Sequence, residues 1–300
     1  MQYDEVVAAF FVPTPADTVP RPTRRESVAR RLRDAIEPIA MHPVWSRGTN
    51  ESLARLGLDF FSAYAWGRAA ALGEPAAGVV VSSFAVFEPT MITGAYDQGR
   101  QACGRDEILA IRATATTASL AAVLDGVDVS DAADRLGRAV AELDRSGRPL
   151  YAGLADLPFP DDPVGVLWRS AEMVREHRGD GHVAACVVEG LDPVAMNILT
   201  ELWVGMPLGA YTASRGWDEA TIAERAATLR QEGLLDGDGL SDDGLALRER
   251  IEDATDRAQD DLVDRLGADV DDLIGQLDDW SERCVVAAAF PPDAYKRAAG

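Results

Sequence analysis

The segment DEATIAERAATLRQEGLLDGDGLSDDGLALRERIEDATDR, Asp218 to Arg257, admits few folds. Ile222, Ala226 and Leu229 recur at helical spacing, so Asp218–Glu232 reads as an amphipathic helix. Leu234 and Leu235, the turn Asp236-Gly237-Asp238-Gly239, and Leu240 then read as a short hairpin. Ser241 or Asp242 can cap the long helix that follows. Helix, two-stranded wing and helix in that order is the layout of a winged helix-turn-helix.

Upstream, the pattern is helical almost throughout. Val28, Leu32, Ala35 and Ile36 share one face of a helix that Pro38 and Pro43 are expected to end. Arg24, Arg25, Arg30, Arg31 and Arg33 fall opposite and read as a solvated face. Glu51–Leu72 carries Leu53, Leu56, Phe60, Phe61, Tyr64 and Ala65 inward, until Gly73 and Pro75 break it. Gly78–Phe87 fits a buried strand or a helix equally well. Met91–Tyr96, Arg105–Leu124, Asp131–Arg145, Val164–Arg178, Gly181–Glu189, Pro193–Val204 and Val270–Ala289 read as further helices. The expected fold is mainly α: a helical N-terminal domain followed by a winged helix-turn-helix-like domain. Four prolines between Ser146 and Pro163 mark the boundary. The divisions are an extended Pro-rich arm at 1–23, domains at 24–150 and 151–290, and a tail at 291–300.

Composition narrows the function. A net charge of −21 repels nucleic acid and anionic membranes, because phosphate contacts supply most non-specific affinity. Asp218–Arg265 holds fifteen acids against six arginines, a net of −9, where a DNA-reading winged helix shows a basic stripe. No apolar run approaches 18 residues, which argues against a membrane span. The start MQYDEVVAAFFVPTP has early acids and no basic region, unlike a secretory signal; its apolar patch reads as a tucked-in arm. Cys103, Cys186 and Cys284 are widely spaced and odd in number, which fits a reducing cytoplasm and neither a disulfide frame nor a zinc site. Lys296 is the only lysine.

Three stretches carry a family resemblance: DDPVGVLWRSAEMVREHRGDGHVAAC, RGWDEATIAERAATLRQEGLLDGDGLSDDGLALRERIEDATDR and, less tightly, FFSAYAWGRAAALGEPAAGVVVSSFAVFEPTM. The chain from about Arg24 to Arg265 resembles the SalK-type helix-turn-helix family of actinobacteria. The resemblance implies a helical N-terminal half before a MarR-like winged-helix half, and a place in specialised metabolism. A more distant likeness, to proteins that close aziridine rings by displacing a sulfate, implies ring closure.

REHRGDGH, Arg175 to His182, holds two of the three histidines. It reads first as a helix corner: Gly179 as the left-handed residue that ends one helix, Asp180 as the cap of the next. It also reads as a reaction site. A fresh helix start offers N–H groups to an anion, and Arg178 can grip a sulfate, phosphate or carboxylate. His177 or His182 can move a proton, with Asp180 or Glu176 orienting the imidazole. The five-residue spacing of the histidines does not suit a metal. No nucleotide-binding loop or nucleophile elbow is present, so no cofactor is expected. Secondary candidates are His42, the Tyr64–Arg68 pair on one helical face, and Glu88, which would be a buried base if desolvated.

The expected function is that of a cytoplasmic, cofactor-free acid–base enzyme. It would eliminate or displace an anionic group from a small polar or anionic substrate, with His177, His182, Asp180 and Glu88 catalytic and Arg178, Arg68, Tyr64 and His42 binding. The alternatives are a MarR-like ligand-responsive regulator and a non-catalytic partner of a pathway enzyme. A homodimer or hetero-oligomer is expected, with no DNA or membrane partner.

Overall fold

A 26-residue helix, α11 (Pro163–Val188), organises the computed structural model, which describes residues 1–21 and 25–299. Asp162 caps it by accepting from Val164 N and Gly165 N, and Pro163 supplies a first residue that needs no partner. The corner expected at Gly179 is not there. Gly179 lies inside α11, without the positive φ that ends a helix, and neither it nor Gly181 breaks the run. The break comes at Gly190 (φ 78°), after which the chain turns through 110° into α12 (Pro193–Val204).

The remaining helices pack around this beam. The N-terminal run is α1 (Tyr3–Phe10), α2 (Val28–Ala40), α3 (His42–Trp45), α4 (Arg47–Ala54), α5 (Phe60–Ala69), α6 (Ala77–Phe84), α7 (Pro89–Ala102), α8 (Arg105–Val123) and α9 (Ser130–Ala141). Residues 1–21 are thus not simply an extended arm: Val6 of α1 is fully buried, and Phe10 and Phe11 pack edge-on to Trp45. Pro22 and Arg24 lie outside the described residues. The ambiguous run at 78–87 resolves as helix α6. Pro38 does not end α2, which continues to Ala40. A proline there cannot bond the Asp34 carbonyl, and Arg297 Nε takes that carbonyl at 2.9 Å.

After α10 (Pro149–Ala155), α11 and α12 come α13 (Ala210–Ala213), α14 (Glu219–Gln231), the hairpin β1 (Leu235–Asp236) and β2 (Gly239–Leu240), and α15 (Asp242–Arg257). The strands are antiparallel, with Leu235 opposite Leu240 and Asp236 opposite Gly239. Ser241 caps α15 by accepting from Gly244 N. Then follow α16 (Asp260–Leu266), α17 (Val270–Val286) and α18 (Ala294–Ala299). The protein is mainly α, with this one small hairpin among the described residues.

The sequence boundary at 150/151 falls inside α10, and packing crosses it freely. Helix α17 lies along α2, and α11 touches both α2 and α15. One apolar core runs from Val6 through Trp168 to Phe290. A second lies among α5 to α8, and a third joins the end of α11 to α12, α14 and α15. Residues 291–300, read as a tail, hold α18, whose Ala298 is buried against Trp203 and Val204.

Candidate functional site

Arg175, Arg178, Gly179 and His182 fall at helical spacing on one stripe of α11. This stripe, with Asp180, faces a cavity of about 150 Å³ between α2, α5, α12 and α15. Seven arginines line it: Arg30, Arg33, Arg68, Arg175, Arg178, Arg215 and Arg248. Five carboxylates pair with them. Arg30 and Arg33 hold Asp34, and Arg33 also reaches Glu37. Arg68 grips Glu176 through two nitrogens (2.8 and 2.6 Å), and Arg175 binds Glu37 and Glu176. Arg178 bonds both Glu252 and Asp256 at 3.0 Å, and Arg248 bonds Glu252 at 2.9 Å.

Among the described residues, seven guanidiniums against these five carboxylates and Asp180 leave the cavity positive inside a protein of net charge −21. The Nε–H groups of Arg178, Arg215 and Arg248 are buried and have no hydrogen-bond partner among the described residues. Among the described residues, no carboxylate lies within 4 Å of Arg215. Arg215 stacks on Tyr211, 4.0 Å from the ring centre, and bonds the Ser214 hydroxyl. Its loop is fixed by buried Glu201, which accepts from Gly209 N, Tyr211 N and Thr212 N.

Burial would raise Glu252, but Arg248, Arg178 and Arg30 hold it far below the usual carboxylate range. Burial lowers Arg30 to about 10, against the pull of Asp34. Asp180 behaves oppositely. Burial pushes its carboxyl up to about 7, against the Tyr151 N–H that it accepts at 3.0 Å. Nearby Glu176 raises it further and Arg68 lowers it. A carboxyl poised near neutrality beside an array of guanidiniums can take or give a proton where negative charge is stabilised.

The two histidines of REHRGDGH separate. His182 lines the cavity. Burial, with Arg248, Arg178 and Arg30, drops it to about 3 against the opposing pull of Glu252, so it is neutral. Thr255 Oγ1 donates to the Ile251 carbonyl, so it accepts from His182 Nδ1–H at 3.1 Å. Nε2 is then the acceptor, facing Cys186 Sγ at 3.6 Å. His177 is not at the cavity. It lies off the stripe, edge-on to Tyr151 and bonded through Nδ1 to Gln259, and burial lowers it to about 4.

Of the other candidates, Tyr64 and Arg68 line the cavity, joined at 3.3 Å. His42 does not. It is buried beside Ser119 and lowered to about 4 by desolvation. Glu88 is not a buried base: it caps α7 by accepting from Thr90 N and Met91 N, and those bonds hold its carboxyl low. The helix-start anion site disappears with the corner, because the N–H groups of 181–184 lie within continuous helix. Arg30 and Arg33 are cavity walls at 3% exposure, not a solvated face. Arg215 and Arg248 carried no sequence signal, although Arg248-x-x-x-Glu252-x-x-x-Asp256 is a charged stripe visible at helical spacing. Among the described residues, no group of three or more His, Cys, Asp or Glu side chains could hold a metal.

A family model described as a helix-turn-helix family matches residues 29–291. The chain belongs to that helix-turn-helix family. No curated protein and no solved structure matches it. In this member of the family, the helix before the hairpin is α14, and both of its arginines are engaged. Arg225 bonds Asp192 and Glu232, and Arg230 bonds Asp238 and the Gly237 carbonyl at the hairpin turn. Phosphates approaching α14 would meet paired arginines and acids.

Proposed function

We propose that the protein binds a small anion-bearing molecule in the arginine-lined cavity and performs acid–base chemistry on it with its own side chains. The carrying observation is the excess of guanidinium over carboxylate in a buried cavity of a strongly acidic chain. In this reading Asp180 takes a proton from the substrate. The displaced anionic group departs with its electron pair toward Arg178, Arg215 and Arg248. Elimination and intramolecular ring closure both fit, and the SalK-type resemblance supports a place in specialised metabolism. His182 shapes the cavity as a neutral imidazole.

Arg215→Gln is the cleanest test. Arg178→Ala would strip a partner from buried Glu252 and Asp256, at a cost of about 3–5 kcal/mol. Arg215 has no carboxylate partner among the described residues, so its replacement strands none of them. Titration calorimetry with pyrophosphate at constant ionic strength should show saturable binding to the native protein. Arg215→Gln should weaken it about tenfold or more, as expected for a lost charge-assisted bond. Absence of saturable binding to the native protein would remove the reading.

Family membership and the hairpin favour a second reading, a ligand-responsive regulator using the same cavity as its sensor. A second copy of the chain is the partner expected in either case. Val187 and Val188, exposed at the end of α11, are the apolar surface that supports it.

A further inference from the structure

A second cavity, of about 390 Å³, shares Tyr64, Phe87, Arg175, Tyr211 and Arg215 with the arginine-lined one. Its other walls are largely aromatic, including Phe10, Trp45, Phe60 and Phe290. Into it projects Lys296 of α18, the chain's single lysine, with Nζ 4.2 Å from the centre of the Phe10 ring. Among the described residues no carboxylate lies within 4 Å of that nitrogen. The acids facing the cavity are taken: Asp59 by the Met1 amine at 2.9 Å, Glu37 by Arg175 at 3.1 Å. Arg215, from the loop after α13, faces the same space.

We propose that Lys296 is a nucleophilic amine that forms an imine with an aldehyde or ketone carrying an anionic group, the anion resting on Arg215 and the apolar body among the aromatic rings. The Nζ lone pair attacks the carbonyl carbon, giving a carbinolamine. Its hydroxyl leaves as water after protonation, and a protonated imine remains. Burial lowers Lys296 to about 7, Arg215 acts in the same direction, and Asp293 opposes them. A large share of the amine is therefore free at neutral pH, whereas an ordinary lysine, with a pKa of about 10.4, has almost none. This site is independent of Asp180 and does not rest on the acid–base reading.

The test is reductive trapping of the full chain with phenylpyruvate and cyanoborohydride at neutral pH, followed by intact-mass measurement and peptide mapping. Expected is one adduct per chain on Lys296, formed about tenfold or more faster than on the same lysine in the urea-unfolded protein. No adduct, an adduct on the Met1 amine alone, or equal folded and unfolded rates would overturn the proposal. Arg215→Gln should slow trapping of phenylpyruvate about tenfold or more, as for a lost charge-assisted bond, and slow trapping of uncharged phenylacetaldehyde by clearly less, because there only the effect of Arg215 on the amine is lost. Equal effects on both probes would overturn the anion's assignment to Arg215.

Discussion

At the scale of single residues, Asp180 is the most unusual titrating group of the arginine-lined cavity. Its folded pKa, about 7, lies above the unfolded value of about 3.9. Between those values the folded state holds a proton that the unfolded state has released. Stability from this group is therefore full below pH 4 and is lost as pH rises toward 7. Asp180→Asn keeps an acceptor for Tyr151 N–H without ionising. It should gain on the native protein by an amount on the order of a few kcal/mol between pH 5 and pH 8, read from urea melts. A gain that does not change with pH would show that Asp180 is ionised throughout. His42 and His177 tilt the native curve the other way, because burial keeps them neutral down to about pH 4. Stability from these two is full above pH 6.5 and falls on acidification through that window.

At the scale of elements, α11 decides the geometry of the site. As one straight run it carries Arg175, Arg178 and His182 on a single stripe and turns His177 away. Gly179 has room for a side chain: a Cβ there would meet only Glu176 Oε2, at 3.8 Å. Gly181 has none, because a Cβ would come within 2.8 Å of Arg148 Nη1, which braces α11 through the His177 carbonyl. Gly179→Ala should therefore stabilise the protein by about 0.5–1 kcal/mol in urea melts, as in any helix interior. Gly181→Ala should destabilise it. A Gly179→Ala protein that is weaker than the native one would restore the corner. Much of this was legible in advance: most of the amphipathic helices, the hairpin after α14 and the Ser241 cap follow from local spacing, whereas the single helix expected over Glu51–Leu72 is broken between Ala54 and Phe60, where Gly57 takes a positive φ of 83°. The continuity of α11 was not, because two glycines in three residues look like punctuation until tertiary packing on α2, α9 and α15 holds the helix through them. For the same reason Arg30 and Arg33 looked solvated. Their partners Glu252 and Arg297 lie more than 200 residues away, and no local pattern shows them.

At the scale of the whole molecule, the sign of the surface and the sign of the cavity oppose each other. Fluorescence anisotropy with labelled duplex DNA at low salt, the region upstream of the protein's own gene included, should show no binding, because the arginines of α14 are paired and the chain is acidic. Tight binding that collapses with added salt would give the regulator reading precedence. A small anion, by contrast, has to cross a repulsive exterior before reaching an attractive interior, so its association should speed up as salt screens the outer charge.

The pairing of Arg30 with Glu252 also sets a schedule for synthesis. Both groups are buried at 2–3% exposure, yet they lie 222 positions apart. At about 5–20 residues per second, Arg30 is made roughly 10–45 s before Glu252. During that interval α2 has neither α15 nor α17 to lie against, and its arginines must stay hydrated. The cavity therefore cannot be assembled until α15 has been made, and a nascent chain stalled before α15 would present a basic, half-packed α2 to whatever escorts it.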